Sequence, residues 1–86
     1  MTVYIGVDFQ PHQQTVAWCD TATGETDIRD LFHKPGEVKR FYASFTKPAI
    51  IGMEASSRAI WFEKLIHLTG HRLLIGNPAI ILIHSK

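Results

Sequence analysis

Tyr4-Ile5-Gly6-Val7-Asp8 and Ala49-Ile50-Ile51-Gly52-Met53-Glu54 are the stretches on which the fold turns. In the first, Val3, Ile5 and Val7 alternate with Tyr4, Gly6 and Asp8, the period-2 pattern of a strand with one buried face. The second is apolar at consecutive positions, which predicts a strand covered on both faces in the middle of a mixed sheet. Each ends in a carboxylate, at the end of a strand where open α/β sheets place their ligands. If the two strands are neighbours, Asp8 and Glu54 converge.

Working outward, Phe9 to Gln14 reads as a polar turn around Pro11, and Thr15-Val16-Ala17-Trp18-Cys19 as a second, β-branched and aromatic strand. Thr21-Ala22-Thr23-Gly24 marks a hairpin, after which a strand from Glu25 to about Phe32 is expected to pair antiparallel. Lys34-Pro35-Gly36-Glu37 opens a helix whose Val38, Phe41, Tyr42 and Phe45 fall at i, i+3, i+4 and i+7, one buried face. Ser56 or Ser57 is expected to cap a second helix carrying Ile60, Trp61, Leu65, Ile66 and Leu68, with Gly70 as its stop. His71 to Ile75 is a fifth strand, broken by Gly76-Asn77-Pro78 before the apolar tail Ala79 to Ile83, a surface that calls for a cover. The order β-β-β-α-β-α-β is that of a ribonuclease H-like α/β domain with a mixed five-stranded sheet.

Eighty-six residues leave room for one small domain, 1–86. Hydrophobic residues at 45% and charged residues at 20% exclude a disordered or fibrous chain. The longest apolar run is far shorter than the roughly 20 residues that span a bilayer, and no basic segment precedes an apolar run at the N-terminus. A single cysteine, Cys19, cannot close an internal disulfide, so a reducing cytoplasm is expected. The net charge of +1 divides into −4 over residues 1–32 and +5 over residues 33–86. The bases of the second half are dispersed, so charge alone reads as a solvated surface rather than a nucleic-acid-binding arm.

Two carboxylates brought together in a polar cleft repel unless a cation lies between them, and Mg²⁺ takes oxygen ligands of this type. Two are too few for a tightly held metal pair, and a strand end and a turn explain them without chemistry. Tyr4-Ile5-Gly6-Val7-Asp8, Val16-Ala17-Trp18, Gly24, Ile51-Gly52-Met53-Glu54-Ala55-Ser56, Trp61, Leu65, Gly70-His71 and Asn77-Pro78 together resemble the N-terminal part of a DEDD-type insertion-sequence transposase, over nearly the whole chain. The resemblance implies a RuvC-like nuclease domain in which Asp8 and Glu54 are the first two acids of a catalytic tetrad and ligands of Mg²⁺ or Mn²⁺. It also implies DNA as partner, in some members a structured RNA encoded by the element, and a homo-oligomer in the full-length protein, with no membrane. The family's last two acids follow the Asn-Pro segment, and the sequence stops at Lys86, about where the intervening basic stretch would begin. An N-terminal fragment, inactive alone in DNA transposition and recombination, is the expectation.

Other signals read plainly. His67 and His71 stand four apart, but Gly70 intervenes, and both are expected at the surface. Trp18 on a strand and Trp61 on an apolar helix face are expected in the core rather than as base-stacking platforms. Two further functions stay open. One is the N-terminal lobe of a sugar-kinase or actin-like ATPase, although Asp8-Phe9-Gln10-Pro11-His12 lacks the glycine of a phosphate turn. The other is a non-catalytic interaction module that uses the 79–83 tail.

Overall fold

The computed structural model describes residues 2–76, which build β1 (Val3–Phe9), β2 (Gln13–Asp20), β3 (Thr26–Phe32), α1 (Glu37–Ala43), β4 (Ala49–Glu54), a 3₁₀ turn (Ala55–Ser57), α2 (Ile60–Leu68) and β5 (Arg72–Gly76). The five strands form one mixed sheet in the order β3-β2-β1-β4-β5. β1 pairs antiparallel with β2 and β2 with β3, whereas β1–β4 and β4–β5 are parallel. The described residues form an α/β fold with two α-helices. The apolar tail at 79–83 and Asn77-Pro78 lie outside the described residues. No helix among those described is long and apolar enough to cross a membrane.

The register explains which face is the core. Val3, Ile5 and Val7 stand beside Ala49, Ile51 and Met53, and on the other side Ile5 and Val7 face Trp18 and Val16. Ile5, Ile51, Met53 and Val16 are fully buried, packed with Val38, Phe41 and Tyr42 of α1 and Phe62 and Ile66 of α2. Both helices therefore cover the same side. The opposite side carries Tyr4, Gly6, Asp8, Ile50, Gly52 and Glu54, and no described element lies over it. On that side of β4 Gly52 is buried and Ile50 half-buried, while Glu54 at the strand's end is exposed.

Local chemistry sets the element ends. Gly70 takes φ +81° and donates to the His67 carbonyl while His71 N–H reaches Ile66, closing α2 as a left-handed C-terminal turn. The serine cap expected for α2 is absent: Ser56 and Ser57 lie in the 3₁₀ turn, and Ala59 occupies the N-cap with no side-chain bond. Arg58 instead bridges to Glu63 at 2.7 Å beside the first turn, an exposed pair whose hydrogen bond holds the Glu63 carboxyl below its ordinary value. β3 buries only Leu31, and its charged residues Asp27, Arg29 and Asp30 suit an edge strand that must resist further pairing.

The core is not wholly apolar. Tyr42 Oη donates to Gln14 Oε1 at 2.7 Å, and both residues have no exposed surface. Pro11 C=O can only accept, so His33 Nδ1 carries the proton toward it (3.2 Å), and His33 Nε2 then accepts from Gln14 Nε2 (3.2 Å). His71 works the same way from the other side. Its Nε2 donates to the Tyr42 carbonyl at 2.6 Å, and its Nδ1 accepts from Ala49 N–H at 2.9 Å. The chain of bonds ties the turn after β1, the strand β2, the end of α1 and the start of β4 to one another. His71 is therefore buried, at 8% exposure, which corrects its surface assignment; His67 is exposed as expected.

Burial raises the Tyr42 phenol well above the ordinary tyrosine value of 10.0. Above that value the unfolded chain loses this proton and the folded chain keeps it, so the unfolded state binds fewer protons and stability falls as pH rises. Urea unfolding at pH 11 is expected to show about 1 kcal/mol less stability than at pH 10 from this group. Tyr42→Phe removes that increment of slope. It also leaves Gln14 Oε1 buried without its donor, at a cost of about 1–3 kcal/mol at neutral pH. Identical pH slopes in the two proteins would contradict the buried phenol.

Candidate functional site

The parallel ladder of β1 and β4 runs in register from Val3 beside Ala49 to Val7 beside Met53. One residue further along each strand, Asp8 and Glu54 stand at the same level, and alternation places both on the side away from the helices. Both are exposed. Neighbouring strands are about 4.8 Å apart, so the two carboxylates share one patch of solvent. Gln10 Nε2 donates to Asp8 Oδ1 at 3.1 Å, an orientation set by the short turn in which Gln10 N–H also bonds the Gln13 carbonyl. Neither acid forms a salt bridge among the described residues.

The same row continues across the sheet. Asp8 faces Thr15 on β2 and Thr15 faces Asp30 on β3, and Thr15 Oγ1 donates to Asp30 Oδ1 at 2.6 Å. Asp30 is two strands from Asp8, roughly 10 Å by strand spacing, and three from Glu54, too far to share an ion directly with the pair. On the other flank Gly76 stands beside Glu54 and brings no donor. Among the described residues no group of three or more His, Cys, Asp or Glu side chains could hold a metal ion. Asp8 and Glu54 are hard oxygen donors of the kind Mg²⁺ and Mn²⁺ accept, but they fill at most a minority of an octahedral shell.

Around the end of β1 the helix side differs in character. Phe9, the residue after Asp8, packs against His33, Trp61 and Phe62, with ring centroids 4.7, 5.7 and 5.2 Å away. Trp61 is 45% exposed, contrary to the expectation of a core tryptophan. Phe62 takes the buried position of α2, while Ile60 and Leu68 point outward at 74% and 81% exposure. Trp18 does lie against the core, edge-on to Phe41 and Phe45, with the Arg29 guanidinium 5.7 Å over its ring. Gln14 and His33 are the polar residues that sequence reasoning left out. Gln14 lies in β2 rather than in the turn expected to end there, and it continues the alternation Gln14, Val16, Trp18, the sequence signal that marks it as inward-facing.

No protein-family model matches this sequence, and no curated protein matches it.

Two like charges on adjacent, solvated strand ends repel by about 1 kcal/mol or less. Asp8→Asn and Glu54→Gln are expected to leave the melting temperature unchanged or slightly raised, within the range of surface substitutions. A loss of more than about 2 kcal/mol in either variant would assign that carboxylate a structural role instead.

Proposed function

We propose that the protein supplies the first two metal-ligating carboxylates, Asp8 and Glu54, of a ribonuclease H-like (RuvC-like) transposase nuclease domain that acts on DNA. The observation that carries this reading is the parallel β1–β4 register, which brings the two strand-end acids to one level on one side of the sheet. The strand order β3-β2-β1-β4-β5, three antiparallel strands joined to a helix-linked parallel pair, supports the fold assignment. The lone Cys19 supports a reducing cytoplasm as the compartment.

A bound Mg²⁺ or Mn²⁺ supplies neutralisation of phosphodiester charge in such chemistry. This chain's own residues hold donors in place: β1 and β4 fix the two carboxylates on rigid strands, and Gln10 orients Asp8. Two carboxylates without a third support weak binding, and DNA cleavage by this chain alone is not expected.

Titrating Mg²⁺ into the ¹⁵N-labelled protein tests the reading. Shifts are expected at Asp8, Phe9, Glu54 and Ala55, saturating in the millimolar range, and each of Asp8→Asn and Glu54→Gln should weaken them severalfold. Shifts centred on the Glu25–Asp30 hairpin, or unchanged in both variants, would contradict it. So would Mg²⁺-dependent DNA cleavage that survives Asp8→Asn.

A further inference from the structure

On the helix side, at the same end of the sheet, lies a surface cavity of about 480 Å³, lined by His33, Lys34, Val38, Lys39, Trp61 and Leu65 among others. Its volume falls in the range of small-molecule sites. Two of its lining side chains are cationic, and none of them is a carboxylate. The aromatic wall is held from behind. The His33 ring packs against both Phe9 at 4.7 Å and Trp61 at 5.0 Å, and both of its nitrogens are bonded, to Pro11 and to Gln14. Trp61 is braced by Phe9 and Phe62 yet keeps nearly half its surface open. Lys34 Nζ lies 5.6 Å from the ring of Phe32, which does not line the cavity, so Lys39 is the second cation of the lining.

An exposed indole that shares one cavity with two lysines, with no carboxylate among the lining residues, has the chemistry of a site for a flat aromatic group that carries negative charge. We propose that this cavity takes one unpaired nucleotide, its base against Trp61 and its phosphate near Lys34 and Lys39. An unpaired base offers a π-face to the indole and a phosphate to the lysines, whereas a base within a duplex is already stacked on both sides. An acidic peptide satisfies the lysines but leaves the indole without a stacking partner. The inference rests on the cavity and not on the carboxylate pair, which occupies the opposite side of the sheet, so either reading can fail alone.

The test is run in EDTA, so that no metal at Asp8 and Glu54 contributes. A short single-stranded oligothymidylate, its duplex with oligoadenylate, and thymidine 5′-monophosphate are titrated separately into ¹⁵N-labelled protein. The single strand is expected to shift the Trp61 indole N–H and the amides of His33 and Lys39, leaving the Trp18 indole in place. Trp61→Ala should weaken binding about tenfold. Because that variant also loses contacts to Phe9 and Phe62, Lys39→Gln is the second variant: Lys39 is exposed, and its loss should weaken binding severalfold and reduce the salt slope by about 0.7. Equal binding of the monophosphate makes a free nucleotide the source, and tighter binding of the oligomer makes it a strand; both uphold the site. No binding of either probe, affinity unchanged in both variants, or duplex binding as tight as single strand overturns it.

Discussion

The parallel pairing of β1 with β4 is the constraint on which the other features depend. Strands three elements apart in sequence can lie side by side in parallel only if the chain returns to the starting edge before β4, and α1 makes that return from β3. The register then decides everything placed on the two strands. Ile5 and Val7 join Ile51 and Met53 beneath the helices, while Asp8 and Glu54 emerge together on the other side. A slip of one residue in β4 would send Met53 to solvent and Glu54 into the core.

The polar chain through Tyr42, Gln14, His33 and His71 holds that register from the α1 side. Ala49 opens β4, and its N–H is taken by His71, whose other nitrogen reaches the Tyr42 carbonyl near the end of α1. Buried donors and acceptors cost stability when left unpaired, so a displaced β4 would break several bonds at once. Among the described residues no buried side-chain nitrogen or oxygen lacks a partner. The same chain, through His33, braces the aromatic wall beside Trp61. One network thus supports both the carboxylate edge and the cavity on the opposite side.

The strands were legible because alternation and turn chemistry agree: Val3 to Asp8, Thr15 to Cys19 and Ala49 to Glu54 all lie in observed strands, and Gly24 and Gly70 sit at positive φ in the turns expected of them. The approach of Asp8 to Glu54 was legible as a conditional, since neighbouring strand ends would bring them together. Other features depend on partners distant in sequence. Nothing local distinguishes Phe62 as the buried residue of α2 from the outward Ile60, Trp61 and Leu68, because the apolar stripe is wider than the surface available to cover it. His71 looked like a solvent histidine because its two bonding partners, Tyr42 and Ala49, are 29 and 22 residues away. The serines that looked like helix caps were spent on a 3₁₀ turn that lets the chain leave β4 before α2 begins.

The most direct measurement of the central claim is the interstrand pattern of nuclear Overhauser effects between β1 and β4 in isotopically labelled protein. The account requires parallel-ladder contacts that align Gly6 with Gly52 and Val7 with Met53, the register that sets Asp8 beside Glu54. Contacts displaced by one residue, or an antiparallel pattern between the two strands, would separate the carboxylates and contradict it.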